Sequence, residues 1–338
     1  MRSLPVSIPM NDCEKIHQPV MVAETLRFLS VRPGGAYCDA TLGLGGHSEA
    51  LLRAMCGTGV LYGIDRDKEA LDLASKRLSH FGPRFQPVYG EFGQIIRLLG
   101  ERQAPLLDGI VADLGVSSLQ LDRPGRGFSF RAKGPLDMRM DPSHGETAYE
   151  AICRLDETKL AAVLREYGEE RHSLRIARAL KAAVSTGRLD TTQVADVVAA
   201  AIPQPHIHKH PATRVVQALR IFVNDELREL HQLLLAAPRL LVPGGRLVVI
   251  SFHSLEDRLV KQHFAFSENV AKLRREQSVS GTDNRAPFVA LMKNALFATE
   301  DEVRANPRAR SARLRAAQSA HDAEVQACRP LTFRETAT

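Results

Sequence analysis

The chain has 338 residues, of which 44% are apolar and 25% charged, and its formal net charge is +6. These values are ordinary for a globular protein, and no run approaches the roughly 20 consecutive apolar residues of a transmembrane helix. The first ten residues lack the apolar core of a signal peptide. We therefore expect a cytoplasmic protein with no membrane partner. No two of the five cysteines form a Cys-x-x-Cys pair, which argues against a disulfide framework or a zinc knuckle.

The positive charge is concentrated in two short segments. Residues 119–139 contain five basic and two acidic side chains, a net +3, and residues 304–315 contain five arginines and no acid. Patches of this kind are typical of proteins that bind a phosphate backbone. They favour a nucleic-acid partner.

Strand and helix patterns alternate along the first third of the chain. Apolar strands are predicted at residues 36–41, 59–65, 84–89 and 107–113, and helices at residues 21–29, from 48 onward, at 69–78 and at 92–99. This alternation is typical of a doubly wound, mostly parallel sheet with helices on both faces, a Rossmann-like α/β fold.

The alternation then stops for about a hundred residues. Residues 147–202 are helical in pattern, with a last helix predicted at 192–202, and a single long helix is predicted at 213–235. A strand returns at 246–252, followed by a polar loop at 267–287 and two more strands at 288–297 and 313–317. We therefore predict an α/β domain (residues 1–118 and 223–319) interrupted by an all-helical insert (119–222), with a loosely ordered tail (320–338).

A glycine-rich turn follows the first predicted strand. Gly43, Gly45 and Gly46 lie between this strand and a helix, where a backbone can approach a ligand closely. Asp65 ends the second strand, where an acid can bind both ribose hydroxyls of a nucleotide cofactor. A third helix glycine is missing, and Asp39 precedes the turn, which suits a cationic cofactor. The pattern therefore favours S-adenosylmethionine over a dinucleotide.

Two other residues are candidates for the same site. Phe92 follows the third strand and either covers an adenine face or is ordinary core packing. His47 stands at a helix start, where it either donates to a ligand or is a surface or capping histidine.

Many collinear segments resemble one family, the bacterial 16S ribosomal RNA (cytosine-N4) methyltransferases of the MraW type. The resemblance runs through most of the chain and is carried by residues 17–24 (HQPVMVAE), 39–48 (DATLGLGGHS), 63–67 (GIDRD), 113–118 (DLGVSS), 126–130 (RGFSF), 134–141 (GPLDMRMD), 167–171 (YGEER), 210–214 (HPATR), 217–221 (QALRI), 251–258 (SFHSLEDR) and 306–311 (NPRARS).

The resemblance implies a class I methyltransferase fold that transfers a methyl group from S-adenosylmethionine to the exocyclic N4 amine of a cytidine near the decoding centre of the small ribosomal subunit. The alternatives are an RNA-binding assembly factor that keeps the cofactor fold without turnover, and a dinucleotide-dependent oxidoreductase. Whether the protein forms a homodimer is left open. By position, the family's cofactor contacts fall on Gly45, Gly46, His47, Asp65, Phe92, Asp113 and Gln120.

Asp113 ends the fourth predicted strand, where α/β sheets keep their chemistry. An acid here can accept a hydrogen bond from the cytosine amine and so return the lone pair to its nitrogen. Phe128 and Phe130, interleaved with Arg126 and Arg131, either stack an extruded base or form a local core. Arg139 continues this basic run, and Arg126 and Arg139 are predicted substrate contacts.

A polar stripe on the predicted long helix contains Gln217, Arg220 and Asn224. Asn224 is a second catalytic candidate, and Arg220 is a predicted substrate contact. We expect one of them either to touch the cytosine ring or to hold the loop after Asp113. The histidines at 206, 208 and 210 lack acidic or cysteine partners at ligand spacing, so no metal site is predicted. His253 is either a base or a structural partner of Glu256 or Asp257.

Overall fold

The computed structural model describes residues 19–202, 210–276 and 288–320, and its centre is one eight-stranded sheet. The strand order is β3-β2-β1-β4-β5-β8-β6, with β7 paired to β8. Strands β1 to β5 are parallel, and β8 is antiparallel to its neighbours. The predicted mostly parallel sheet is confirmed. The strands are β1 (Ala36–Asp39), β2 (Val60–Asp65), β3 (Phe85–Tyr89), β4 (Leu107–Asp113), β5 (Leu241–Ser251), β6 (Phe288–Ala290), β7 (Leu296–Phe297) and β8 (Arg313–Ser319).

Some helices cover the two faces of this sheet, and others form a separate group beside it. Side chains of α1, α2 and α3 build the core on one face, and those of α4, α11 and α12 build the core on the other. The helices are α1 (Val22–Leu29), α2 (Gly46–Ala54), α3 (Lys68–Leu78), α4 (Ile95–Glu101), α5 (Ser118–Asp122), α6 (Ala148–Arg154), α7 (Glu157–Gly168), α8 (Ser173–Thr186), α9 (Thr191–Ala201), α10 (Ala212–Asn224), α11 (Glu226–Leu240), α12 (Ser254–Glu276) and α13 (Glu300–Ala305).

The parallel register brings the acids at the strand ends to one edge of the sheet. Asp39 is opposite Gly63 of β2 and Val111 of β4, and Asp113 is opposite Ile250 of β5. Because β1 and β4 are neighbours whose connections leave in opposite directions, a crevice opens between their carboxyl ends.

Helices α6 to α10 enclose a hydrophobic core of their own, drawn from residues between Leu136 and Leu219. Local capping defines where several of them begin. Thr147 caps α6 in a reciprocal pair with Glu150, and Asp190 caps α9 in the same way with Gln193. The start predicted for α9 at Thr192 is therefore one residue late, since the cap is the acid at 190 and the helix begins at Thr191.

The single long helix predicted for residues 213–235 is wrong, because the chain breaks at Asp225. This residue has φ 51°, a left-handed conformation that Asp tolerates better than most side chains. Helix α10 before the break packs into the helical core, whereas α11 packs on the sheet through Leu230 and Leu234. The apolar residues of this segment therefore belong to two different cores, and the break lets α10 face the helical core while α11 faces the sheet.

The segment after β5 also differs from its prediction. The backbone of α12 stays helical to residue 276, although the polar composition from 267 predicted a loop, and residues 277–287 lie outside the described part. Residues 206–209 of the histidine run and the tail from 321 also lie outside it. The strands predicted at 288–297 and 313–317 are present as β6, β7 and β8. No helix in the described ranges is long and apolar enough to span a membrane.

Candidate active site

A cavity of about 280 Å³ opens at the carboxyl edge of the sheet. Its walls come from the segments that follow β1, β2, β3, β4 and β5, together with α5, α10 and α11. Its position over the β1–β4 crevice is the usual ligand site of an open α/β sheet. Of the cofactor residues predicted from the sequence, those on the cavity wall are Gly46, His47, Asp65, Phe92, Asp113 and Gln120.

The three glycines after β1 have different roles. Gly43 and Gly45 have positive φ values of 51° and 80°. A Cβ at Gly45 would lie 3.0 Å from Leu78 of α3, and one at Gly46 would lie 2.9 Å from Pro19. The absence of a side chain at these two glycines therefore allows Leu78 and Pro19 to pack closely against the turn. A ligand can contact the turn through backbone atoms. Gly43 lines the cavity and has open space around it.

Asp65 is held in place by the loops on either side of it. Its Oδ2 accepts the Gly43 N–H at 2.7 Å, and its Oδ1 accepts the Asp67 N–H at 2.8 Å. Burial raises the pKa of Asp65 to about 6. Each carboxylate oxygen has further lone pairs, so this acid remains able to accept hydrogen bonds from a ligand diol.

Asp39 does not serve a cationic ligand as its place in the sequence predicted. Its side chain is buried, accepts the Ser48 hydroxyl at 2.7 Å and the Thr41 N–H at 3.2 Å, and is not part of the cavity wall. The prediction fails because this last residue of β1 directs its side chain into the protein beneath the turn, where Ser48 and Thr41 are its partners. Asp39 instead anchors the first turn of α2.

Asp113 and His47 face each other at the centre of the cavity. The Asp113 N–H donates to the Thr41 hydroxyl at 2.7 Å, which fixes the end of β4. His47 Nε2 lies 3.3 Å from Asp113 Oδ2, which is an ion-pair distance when the imidazole is protonated. Burial alone would lower the pKa of His47, yet the neighbouring carboxylates of Asp113 and Asp39 outweigh it, so this pKa is raised.

Two polar atoms at this point lack hydrogen bonds within the described residues. They are His47 Nε2 and Asp113 Oδ1, and both are shielded from solvent. Buried polar atoms are almost always paired in native proteins, so the unpaired Oδ1 of Asp113 on a cavity wall points to a ligand.

Gln120 ties the loop after Asp113 to Asp67, the cap residue of α3 after the second strand. Its Oε1 accepts the Ser117 N–H at 3.1 Å, and its Nε2 donates to Asp67 Oδ2 at 3.0 Å. The residue lines the cavity, but both ends of its amide are already engaged. It therefore shapes the wall, and its predicted contact with the cofactor stays a prediction.

The predicted aromatic platform is wrong. Phe128 is 4% exposed and does not line the cavity. Phe130 packs against the helical core, with its ring centroid 4.8 Å from that of His210. The loop from 119 to 141 has little regular structure, so it needs these rings as its own packing. The local-core alternative for Phe128 and Phe130 is the correct one.

The predicted basic contacts are largely neutralised inside the protein. Arg126 lies 2.8 Å from Asp67 and also donates to the Met140 carbonyl at 2.9 Å, while Arg139 makes a two-pronged contact with Asp137. Both are therefore cross-links of the loop, contrary to their predicted contact with substrate. In the second basic segment, Arg304 pairs with Glu300 and Asp301, Arg308 with Asp122, and Arg313 and Arg315 with Asp257.

Asn224 holds the loop and is not a catalytic group. Its Nδ2 donates to the carbonyls of Met138 and Arg220, and its Oδ1 accepts the Met140 N–H at 2.7 Å. The side chain is 3% exposed, and both of its donors and one of its two acceptor positions are used. Arg66 donates to the Asn224 carbonyl at 2.8 Å and so closes the end of α10.

Arg220 is the predicted substrate residue that does line the cavity. Its Nε and Nη2 donate to the two oxygens of Glu226 at 2.7 and 2.8 Å across the helix break. Burial would lower the pKa of Arg220, but the Glu226 carboxylate outweighs it and the pKa is raised. The guanidinium is therefore a fixed cation on the wall.

Sequence reasoning also missed several acidic and aromatic wall residues, among them Glu226, Glu229, Phe252 and Glu256. Phe252 and Glu256 lie in the family segment 251–258, which does not reveal their place on the wall, and the helix break that brings Glu226 inward is invisible in the apolar pattern. Glu226, His253 and Glu256 present ligand atoms within 4.8 Å of one another. Both Glu226 oxygens already accept from Arg220, so we assign no metal to this group.

Comparison with known proteins identifies the family of this chain. The model of the MraW methylase family matches residues 14–320. A protein of Sorangium cellulosum named "Ribosomal RNA small subunit methyltransferase H" is 49% identical over 313 residues, covering 92% of this chain and 93% of the relative. A protein of the same name from Nitrobacter winogradskyi is 48% identical and covers 91% and 92%. The chain thus belongs to the MraW methylase family and is an S-adenosylmethionine-dependent methyltransferase.

Proposed function

We propose that the chain methylates the exocyclic N4 amine of a cytidine in the decoding region of 16S ribosomal RNA. The observation that carries the chemistry is the buried, unpaired Oδ1 of Asp113 on the wall of the cofactor cavity. The name shared by its relatives, which are nearly half identical over almost their whole length, supports the RNA substrate.

The residues at the cavity suit S-adenosylmethionine in a defined order. Asp65 would accept the two ribose hydroxyls, and Phe92, beyond the neighbouring strand β3, would lie beside the adenine. The methionine end would then extend toward β4 and Asp113, on the opposite side of β1. When bound, the cofactor supplies an electrophilic methyl group.

Asp113 would activate the acceptor amine. The lone pair of this amine is delocalised into the cytosine ring, so the nitrogen is a poor nucleophile. A hydrogen bond accepted by Asp113 Oδ1 favours the lone pair on nitrogen, and the same oxygen can take up the proton that the amine loses. Thr41 fixes the backbone of Asp113 by accepting its N–H, and His47 lies beside the other carboxylate oxygen, Oδ2, at 3.3 Å.

The helical insert, residues 119–222, would present the RNA. It contacts the helices that cover the sheet, for example through Glu169, which accepts hydrogen bonds from Ser254 and Arg258 of α12 at 2.9 Å. The exposed arginines of this insert, including Arg131, Arg171 and Arg175, supply positive charge for a phosphate backbone. The proposal includes a cytoplasmic site of action on small ribosomal subunits.

Incubation with methyl-labelled S-adenosylmethionine and small-subunit particles that lack the modification tests this function. We expect label in 16S RNA, and nuclease digestion with mass analysis of the nucleosides should return N4-methylcytidine at one mapped position. Labelled protein-free 16S RNA should be compared in parallel to identify the physical form of the substrate. Absence of label from both RNA samples, with cofactor binding intact, contradicts the proposal.

A further inference from the structure

The cavity has a second end that the cofactor residues do not reach. Beyond Asp113, its wall continues over Gly115 to Phe252 in the loop after β5, and to Arg220 and Glu226 at the α10–α11 break. These side chains come from parts of the chain far apart in sequence. We call this region the acceptor end, defined by Gly115, Phe252, Arg220, Glu226 and Glu256.

Phe252 is fixed at this end by its neighbours. Its N–H donates to Glu256 Oε2 at 2.8 Å, and a Cβ on Gly115 would lie 3.5 Å from its ring. The ring therefore packs against the bare backbone of Gly115, which has a positive φ of 104°. A ring held in this way, partly buried and on a cavity wall, is available to stack on a flat ligand.

Arg220 retains hydrogen-bonding capacity at the same end. A guanidinium has five N–H donors, and the contacts with Glu226 use one on Nε and one on Nη2. The Glu226 carboxylate holds the plane of the guanidinium, so its remaining donors have a fixed direction. Fixed donors of this kind recognise a carbonyl oxygen better than a mobile lysine ammonium does.

The charge at the acceptor end suits a ligand that becomes positive. One guanidinium, that of Arg220, faces two carboxylates, those of Glu226 and Glu256. Burial would raise the pKa of Glu256, but the neighbouring His253 and Arg220 outweigh this effect, so the pKa is lowered. The group is therefore net negative when His253 is neutral. A base gains positive charge as its amine is methylated, and preorganised negative charge stabilises that change.

From this geometry we propose that the acceptor end is a pocket for one extruded pyrimidine base, with Phe252 as the stacking surface and Arg220 as the donor to its 2-carbonyl oxygen. The inference rests on the proposed RNA methylation and assigns its recognition to residues outside the basic loop. Phe252 takes the role that the sequence assigned to Phe128 and Phe130.

Arg220 would also explain discrimination between bases. Cytosine and adenine both present an amine beside a ring nitrogen acceptor, but only cytosine has a carbonyl oxygen on the other side of that nitrogen. Adenine has a C–H there, so it would leave the buried Arg220 donor unpaired. Sites with a polar group left unpaired reject such analogues strongly.

The first test compares Phe252→Leu, Phe252→Tyr and Phe128→Leu in single-turnover methylation of small-subunit particles, with cofactor affinity measured by calorimetry. We expect Phe252→Leu to lower kcat/KM for the particle about tenfold, within the range for loss of base stacking. Phe252→Tyr should restore most of it, and cofactor affinity should be unchanged. Phe128→Leu removes a buried ring outside the cavity and should retain kcat/KM.

The second test compares Arg220→Gln with Arg246→Gln, since Arg246 donates to the Phe28 carbonyl at the opposite edge of the sheet. Particles carry cytidine or adenosine at the mapped position. We expect the methyladenosine-to-methylcytidine product ratio to rise at least about fivefold in Arg220→Gln and to stay at the wild-type value in Arg246→Gln. Thermal unfolding checks that each variant is folded.

The outcomes separate this inference from the proposed function. If wild-type protein transfers no methyl group to RNA, the proposed function fails. If wild type is active while Phe252→Leu retains its kcat/KM, or loses cofactor affinity in the same proportion, the stacking role is overturned. A product ratio in Arg220→Gln within twofold of wild type, including both at the detection limit, overturns the Arg220 role.

Discussion

The two ends of the cavity are built in different ways. The end opposite the acceptor end, called the cofactor end, is defined by His47, Asp65, Phe92 and Asp113. These residues end strands β2 and β4 or lie just after β1 and β3, so each side chain is positioned by its own strand and turn. The acceptor end uses a helix break at Asp225 and the loop after β5, which meet only in the folded chain. The cofactor end can therefore be predicted from local sequence signals, whereas the acceptor end forms only through packing between two cores.

The largest effect expected from a single change is at the junction of the two ends. Asp113→Ala should lower kcat for RNA methylation by about 10²- to 10⁴-fold, because it removes the acceptor for the amine proton. Asp108→Ala is a matched control on the same strand, since Asp108 pairs with Arg32 at the opposite edge of the sheet. That control should lower the melting temperature while kcat stays near wild type. Near-normal activity of folded Asp113→Ala would remove this acid from the mechanism.

The cofactor end can be tested alone by pH. Burial raises the pKa of Asp65 to about 6, and its ionised form is the one that accepts both ribose hydroxyls. The Kd for S-adenosylmethionine should therefore rise toward tenfold per unit as the pH falls below about 6, and should be flat above it. Asp65→Asn should weaken binding and remove this dependence.

The same shift has a consequence for the unliganded protein. Because the folded pKa is raised, protonation of Asp65 stabilises the fold, and this contribution is complete below about pH 3.8 and lost as the pH rises through about 6. Calorimetric titration of the wild type and Asp65→Asn with S-adenosylmethionine between pH 5 and 8, a range of about three units that includes the expected midpoint, measures the pH dependence of Kd. Parallel curves of Kd against pH for the two proteins would contradict the assignment.

A smaller effect is expected at the support of the acceptor end. Asn224→Ala leaves the Met140 N–H without its buried acceptor, so the free energy of unfolding should fall by about 1–3 kcal/mol. The loop from Met138 to Met140 should then loosen, and kcat should fall while cofactor affinity is retained. Asn294→Ala, at an exposed position, is the control and should be neutral in chemical denaturation.

The smallest effect concerns the loop that was predicted to hold the base. Phe128→Leu should cost about 1 kcal/mol of stability, because a buried ring is replaced by a smaller apolar side chain. Methylation of the particle should be nearly unchanged, measured at a temperature well below the melting point. A large loss of kcat/KM with little loss of stability would return Phe128 to the substrate site.

The sequence predicted the parallel sheet well because its strands are short apolar runs separated by amphipathic helices. It placed Asp65, Asp113 and His47 at the cavity because strand ends are visible in such a pattern. It misplaced Phe130 and Arg139 because a basic, aromatic loop looks the same whether it binds RNA or pairs with itself. Arg139 pairs with Asp137, two residues away, and the sequence does not show whether such neighbours pair or whether the arginine faces a ligand.

By itself, the sequence determined the family and most of the order of strands and helices, and it predicted the acids of the cofactor site. Periodicity and strand-end residues are local signals, and they survive without knowledge of the partner surfaces. Only the tertiary structure decided that the helix breaks at Asp225, that Asn224 is a support, and that Phe252 and Arg220 share a wall with Asp113. Those outcomes depend on which of two cores each apolar face joins, and on which acid lies nearest each arginine.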